Sequence, residues 1–187
     1  DPEAIFKEVT TVTPSYAGMT YGRLGLNGLQ WPCPNAEHPG TQFLHAAQFT
    51  RGKGLFHAIE YRDPPEMPDY EYPYFLTTGR MFAHYHTGTM TRASGHLDTE
   101  QKTGYVEIHP EDAANLSVKE GDTVKLATRR GEIEVPARIS KKVKPGLLFV
   151  PFHFAENSAN VLTNSAFDPA AKIPEYKVCA VKIEKAA

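Results

Sequence analysis

Cysteine is scarce in this chain, and its two cysteines, Cys33 and Cys179, are far apart. A disulfide framework is therefore excluded, and no closely spaced group of cysteines is present that could hold an iron–sulfur cluster. Cys179 lies in the apolar run 178–181, and Cys33 lies between two prolines. Both positions favour structural thiols over reactive ones.

The chain also lacks long apolar runs and a large excess of charge. Its apolar stretches are far shorter than the ~18 residues of a membrane-spanning helix, so we predict no membrane span. The net charge of −2 argues against a protein that binds nucleic acid through a basic surface, so any anion site must be local. The chain opens Asp1-Pro2-Glu3 without methionine or a signal peptide, which predicts a fragment or a processed chain.

Apolar residues make up 41% of the chain, so a packed core is expected rather than disorder. Residues 1–60 predict a helical and irregular extension. A short amphipathic helix over 1–13 is capped by Asp1 with a proline behind it, and 21–29 predict one or two further helical turns. Residues 61–72 are acidic and rich in proline, which is typical of a solvated linker.

From residue 73 the pattern changes to short strands separated by turns. Strands are predicted at 74–76, 104–109, 123–128, 132–139, 147–152 and 176–183, with a short helix at 110–116 and a helical turn near 159–162. The residues at 129–131 predict a hairpin turn. This series indicates a compact, mainly β barrel with mixed connections over 73–187.

The stretch 77–90 carries the strongest local signal of a ligand site. It has small hydroxyl residues, two glycines, one arginine and two histidines, and no acid occurs from 77 to 97. Gly79 and Gly88 lack a Cβ and can let backbone N–H groups approach a ligand. The guanidinium of Arg80 suits phosphate or a purine edge. The composition indicates a polyanionic, nucleotide-like cofactor; an ordinary strand and polar loop is the alternative.

An ordered set of motifs continues this signal along almost the whole chain. They are 73–90, 105–113, 120–124, 130–133, Phe152-His153-Phe154, 159–163, 168–169 and 172–177. In this order they resemble the C-terminal dinucleotide-binding domain of the molybdopterin oxidoreductases. Within that family, 173–181 and 29–34 are most similar to the catalytic subunit of formate dehydrogenase. The resemblance implies a double-psi β-barrel, of the aspartate decarboxylase-like kind, preceded by the end of another domain.

The resemblance also implies a function. The domain would hold bis-molybdopterin guanine dinucleotide, carrying Mo or W, for the oxidation of formate to CO2. The metal ligand, the catalytic His and the iron–sulfur cluster are expected in upstream domains, so this piece alone is expected to be inactive. The resemblance implies those upstream domains as partners and formate as the substrate of the full enzyme. It is also compatible with an electron-transfer subunit as a further partner. No nucleic acid is implied.

When the functional residues of the family are matched to positions in this chain, the resemblance implies a cofactor site without catalytic or metal-binding residues of its own. The implied cofactor-binding residues are Thr78, Gly79, Arg80, Met81, Phe82, His84, His86, Phe152, His153, Asn160, Tyr176 and Lys177. In this scheme Arg80 and Lys177 contact the dinucleotide. Polar contacts to the pterin are expected near His84, His86 and Asn160.

Other functions stay open at this point. One is the cofactor cap of another molybdopterin oxidoreductase, such as a nitrate reductase, and another is a domain that only docks a partner subunit. A cupin-like metal site could use His84, His86 and His153, because residues at i and i+2 share one face of a strand. A cupin would want a Glu soon after the second His, where this chain has Thr89 and Met90. A self-processing decarboxylase needs a Gly-Ser site, and no Gly-Ser dipeptide occurs.

Overall fold

The computed structural model describes residues 1–186 and divides the chain into two compact units, Asp1–Glu60 and the residues from Tyr61 on. The predicted end of the barrel at residue 187 lies outside the described residues. The division into an extension (1–60), a linker (61–72) and a barrel (73–187) stays a prediction. Within residues 1–186, every helix is too short or too polar to cross a membrane.

The first unit begins with the predicted helix. Helix α1 spans Pro2–Val12, and it starts there because the carboxylate of Asp1 accepts the N–H of Glu3 at 3.1 Å while proline occupies the first turn. A second, short helix α2 covers Tyr21–Leu24, which is less than the predicted 21–29. It stops at a glycine with a positive φ of 53°, a conformation that glycine adopts readily.

One guanidinium organises the irregular part of this unit. Arg23 donates to the carbonyl of Gly18, to that of Asn35 at 3.3 Å and to that of His38 at 2.6 Å. The same group lies 3.5 Å from the sulfur of Cys33, whose side chain is fully buried. Cys33 is thus buried within a hydrogen-bonded loop, and its role as a structural thiol stays a prediction.

The second unit is a closed barrel of six strands. They are β1 (Tyr74–Gly79), β2 (Val106–Ile108), β3 (Thr123–Ala127), β4 (Glu132–Ile139), β5 (Leu147–Pro151) and β6 (Cys179–Lys185), with helices α3 (Gly95–Glu100) and α4 (Pro110–Asn115). The strands close in the order β1-β5-β2-β4-β3-β6. The pairs β1/β5 and β2/β4 are parallel, and the others are antiparallel. This arrangement confirms the predicted mainly β barrel with mixed connections.

The barrel core follows the alternation that the sequence shows. On β4, Ile133, Val135 and Ala137 point inward and are buried, while the residues between them are exposed. Cys179 opens β6 in the same core, and burial raises the pKa of its thiol to about 11. Its thiol is therefore protonated at neutral pH, as expected for an inert residue.

The predicted start of the last strand needs correction, and one helix was not predicted. The last strand begins at Cys179 rather than at residue 176, because side chains use the backbone carbonyls there: the Thr78 hydroxyl donates to the carbonyl of Tyr176 at 2.7 Å, and Asn164 donates to that of Val178 at 2.7 Å. Helix α3 was not predicted, since its six residues carry only one large apolar side chain and so have no helical period to detect.

The acidic segment before β1 also differs from the expected solvated charge run. The side chain of Glu66 is only 12% exposed and is paired with Arg129 and Arg130. Tyr72 is buried, and the guanidinium of Arg129 lies 4.4 Å above its ring. The segment is therefore bound to the barrel that it precedes.

The strand order brings three chain segments to one rim of the barrel. Strands β1 and β5 are parallel and end together, with Gly79 opposite Pro151. Strand β6 runs antiparallel to β1, with Cys179 opposite Leu76, so the residues before β6 lie beside the end of β1. The chain that leaves β1, the chain that leaves β5 and the chain that enters β6 therefore meet.

Candidate functional site

A cavity of about 680 Å³ opens where these three segments meet. Its lining residues are Thr78, Arg80, His86, Thr87, Phe152, Asn160, Tyr176 and Lys177. All of them except Thr87 belong to the set of twelve predicted from the sequence. The structure thus brings together seven predicted residues that are separated by up to about a hundred positions in the chain, although their role in binding a cofactor stays a prediction.

Two positive charges face this cavity. Arg80 and Lys177 are both exposed, and among residues 1–186 no carboxylate lies within salt-bridge distance of either. The ammonium of Lys177 donates to the carbonyl of Thr78 at 2.5 Å, which fixes its position beside the end of β1. Each group keeps further donors that no carboxylate neutralises, so the cavity suits an anion.

The other walls offer flat apolar faces and a carboxamide. Phe152 is half-buried, and Tyr176 is 48% exposed. Asn160 lies in a short 3-10 turn, Ala159–Val161, closed by the hydroxyl of Thr163, which donates to the Asn160 carbonyl at 3.1 Å. Aromatic rings can stack on the faces of Phe152 and Tyr176, and a carboxamide can pair with the edge of a heterocycle.

The two glycines of the stretch 77–90 serve packing within the protein. A Cβ on Gly79 would lie 2.6 Å from the ring of Phe149, and a Cβ on Gly88 would lie 2.8 Å from the carbonyl oxygen of His153. Gly88 also has a φ of 73°. The space left by the missing Cβ atoms is therefore filled by protein, which differs from the predicted close approach of a ligand.

The remaining predicted residues, Gly79, Met81, Phe82, His84 and His153, do not line the cavity. Phe82 is fully exposed, whereas His84 and His153 are buried. His84 donates from Nε2 to the carbonyl of Gln101 at 2.7 Å, and its Nδ1 pairs with the hydroxyl of Thr91 at 3.1 Å. Direct contact of these five residues with a cofactor stays a prediction.

The cupin-like alternative loses its geometric basis. Strand β1 ends at Gly79, so His84 and His86 do not share a strand face. Both ring nitrogens of His84 and of His153 already have protein partners. Within residues 1–186, no group of three or more His, Cys, Asp or Glu side chains is arranged to hold a metal ion.

An ion pair between Arg92 and Glu156 was not predicted from the sequence. Arg92 contacts both carboxylate oxygens of Glu156 at 2.8 and 2.9 Å, lies 3.5 Å from Asp98 and covers the ring of Phe154 at 5.2 Å. The pair joins the turn after the loop 80–90 to the loop after β5. The two residues are 64 positions apart in the chain, so no local pattern in the sequence indicates that they pair.

We expect Arg92→Lys to destabilise the second unit by about 1 kcal/mol, because a lysine cannot make the two parallel bonds of a guanidinium and the pair is partly exposed. The hydrogen bonds of the pair also lower the pKa of Glu156, so NMR titration of Glu156 should show its pKa rise in the variant. Urea unfolding measures the stability. Lys125→Met, which breaks the more exposed pair with Glu132, is the control and should cost less; equal losses would contradict a special role for Arg92.

A second cleft of about 510 Å³ lies elsewhere on the barrel and includes Glu66, Arg129 and Arg130 in its lining. Its arginines are already paired with carboxylates. It therefore offers less charge to an anionic ligand than the cavity between Arg80 and Lys177.

Comparison with known proteins gives concordant matches. The family described as "Molydopterin dinucleotide binding domain" matches residues 74–180. The F420-dependent formate dehydrogenase 1 subunit alpha of Methanococcus maripaludis is 56% identical over 98% of this chain and 27% of its own length. The assimilatory nitrate reductase catalytic subunit of Bacillus subtilis is 39% identical over 97% of this chain and 27% of its own. These matches confirm the resemblance, and the chain spans about a quarter of the length of these relatives.

Among solved structures, the acetylene hydratase of Pelobacter acetylenicus superposes with a TM-score of 0.61 at 16% identity, over 68% of this chain and 21% of that chain. At this identity the similarity shows the fold alone. It agrees with the predicted mainly β barrel.

Proposed function

This chain belongs to the Molydopterin dinucleotide binding domain family, and from that premise we propose that its 680 Å³ cavity binds the guanine dinucleotide part of bis-molybdopterin guanine dinucleotide. The observation that carries the proposal is the pair of cations, Arg80 and Lys177, which line the cavity together with two aromatic side chains and have no carboxylate partner among residues 1–186. A dinucleotide combines a pyrophosphate with heterocyclic rings, so the donor set fits both of its parts.

The residues of the lining would contact different parts of the cofactor. Arg80 and Lys177 would hold the pyrophosphate by charge-assisted hydrogen bonds. Phe152 and Tyr176 would stack on a ring, and Asn160 would pair with the edge of a heterocycle. When bound, the cofactor supplies the redox chemistry of its Mo or W ion, and the protein supplies binding and orientation.

We further propose that the whole protein is the catalytic subunit of a formate dehydrogenase that oxidises formate to CO2. The high identity to a formate dehydrogenase subunit along nearly the whole chain supports this. The metal ligand and an iron–sulfur cluster would lie in the upstream domains of the same subunit, which are the proposed partners. The name of that relative specifies F420, and we propose F420 as the electron acceptor. An electron-transfer subunit would pass the electrons to it.

A nitrate reductase is the second candidate, because a nitrate reductase subunit also matches nearly the whole chain, although at 39% identity. The same cofactor cavity would serve either enzyme. Assays of the full-length holoenzyme with formate and with nitrate separate the two candidates. Reduction of nitrate without oxidation of formate would contradict the formate dehydrogenase proposal.

Amide chemical shifts of the isotope-labelled chain during titration with GDP, and with dinucleotide cofactor released from a known enzyme, test the cavity proposal directly. We expect saturable shifts at 78–87, 152–160 and 176–177. Inorganic phosphate is the control and should perturb only the neighbourhood of the two cations. Saturable shifts centred on the cleft at Glu66, or no saturable shift with either nucleotide, would contradict the proposal.

A further inference from the structure

His153 is the second residue after β5, next to Phe152 of the cavity lining, and its side chain is fully buried. Its Nε2 accepts the backbone N–H of Met81 at 2.8 Å, and its Nδ1 is bonded to the backbone carbonyl of His86. A backbone N–H can only donate and a carbonyl can only accept. The two partners therefore fix the ring as a neutral imidazole with its proton on Nδ1.

The two hydrogen bonds reach opposite ends of one short loop. Met81 follows Arg80, and His86 precedes Thr87, so a single ring spans the segment that places Arg80, His86 and Thr87 in the cavity lining. His153 itself is not part of that lining. The middle of the loop is held separately, because the ring of His84 bonds to Thr91 and Gln101. His153 bonds to the two ends, where β1 has ended at Gly79 and where His86 has a φ of 48°, which is costly for a residue with a side chain.

We propose that His153 is a positioning residue that shapes the loop 80–87 for cofactor binding, and does not itself contact the cofactor. This inference rests on the proposed function of the cavity. One neutral imidazole bonds to both ends of the loop: it accepts the N–H of Met81 and donates to the carbonyl of His86.

The arrangement also makes the loop sensitive to acid. A second proton, on Nε2, would point at the N–H of Met81 and break that hydrogen bond. Burial lowers the pKa of His153; the bond to the His86 carbonyl opposes this, while the nearby rings of His84 and His86 and the guanidinium of Arg80 lower it further. A ring released from the loop would regain the ordinary pKa of about 6.5. Acid therefore favours the released state as the pH falls below that value.

Two substitutions test the two hydrogen bonds of His153 separately. In His153→Asn the amide nitrogen can take the place of Nδ1 and keep the bond to His86, whereas in His153→Gln the amide oxygen can take the place of Nε2 and keep the bond to Met81. We expect each variant of the 187-residue chain to bind GDP about tenfold more weakly than the unmodified chain, a change equal to about 1.4 kcal/mol. The exposed His96, changed to Gln, is the matched control and should leave GDP affinity unchanged.

The pH profile distinguishes this role from a general loss of structure. GDP affinity of the unmodified chain should fall below about pH 6.5 more steeply than that of His153→Gln, since the titration of the GDP phosphate is common to both. Nitrogen NMR of the His153 ring should show the proton on Nδ1. Unchanged amide shifts in the hairpin 123–139 would establish that the barrel of each variant is intact.

Ligand-free measurements keep this inference separable from the proposed function. Amide hydrogen exchange at 81–87 should accelerate in both His153 variants and not in His96→Gln. If the unmodified chain does not bind GDP, the proposed function fails, and the exchange data still decide whether His153 shapes the loop. Unchanged exchange at 81–87, or identical GDP affinities and pH profiles for the variants and the unmodified chain, would overturn the inference.

Discussion

Removing both cations of the cavity, as Arg80→Met together with Lys177→Met, is expected to lower the affinity of the chain for GDP by at least about a hundredfold. A hydrogen bond to a charged group contributes about 1.5–3 kcal/mol, and two such groups would be lost. Both side chains are exposed, so the barrel should remain folded. Methionine keeps an unbranched apolar side chain while removing the charge.

Isothermal titration calorimetry measures this loss, and the charge needs a matched control. Lys141→Met with Lys142→Met changes the net charge by the same amount at two exposed lysines outside the cavity lining. We expect the control to retain nearly all of the affinity. If both double variants lose affinity equally, long-range attraction by the net charge explains the binding, and the cavity does not.

The salt dependence of GDP affinity gives a second test with the unmodified chain and the variant that lacks both cations. The affinity of the unmodified chain should fall as ionic strength rises, because exposed charges are screened beyond about 8–10 Å at physiological salt. The variant without Arg80 and Lys177 should depend less on salt, since the charges that attract the phosphates are gone. A salt dependence that the substitutions leave unchanged would place the binding site elsewhere.

Glu66 is the position where we expect a large effect on stability. Its carboxylate accepts two bonds from Arg130, at 2.6 and 2.9 Å, one from Arg129 at 2.9 Å, and one from the backbone N–H of Ala180 in β6 at 3.1 Å. Glu66→Ala leaves these donors without their partner, and we expect it to lower the free energy of unfolding by about 3 kcal/mol.

Glu71 provides the control, because it lies in the same acidic segment and is exposed. Glu71→Ala should change the free energy of unfolding by less than about 0.5 kcal/mol. Urea unfolding, followed through the amide signals of β6, measures both variants. Equal losses for Glu66 and Glu71 would mean that the segment behaves as a solvated charge run.

The contribution of Glu66 also has a defined pH dependence. Burial raises the pKa of its carboxyl, but the hydrogen bonds from Arg130, Arg129 and the Ala180 N–H outweigh burial and hold the pKa below its ordinary value. The folded protein therefore binds this proton less readily than the unfolded chain. The stabilisation is present above the ordinary Glu value of about 4.3 and is lost as the pH falls through the folded pKa.

Local patterns in the sequence predict most of the strands and helices of this protein. Alternation identified β4 with its correct ends, and the proline and acids of the first turn identified α4. Such patterns are readable because the repeat of a strand or a helix is carried by neighbouring residues. The ordered motifs also identified the family, and they named seven residues that line one cavity.

Contacts between residues that are distant in the chain could not be predicted in this way. The bond between Lys177 and Thr78 joins residues 99 positions apart, and that between Arg92 and Glu156 joins residues 64 apart. Composition could suggest that Glu66 is solvated and that Gly79 makes room for a ligand, whereas the strand order buries Glu66 against β6 and fills the space beside Gly79 with Phe149. Strand order and register depend on the energy of packing the whole barrel, which no local stretch of residues encodes.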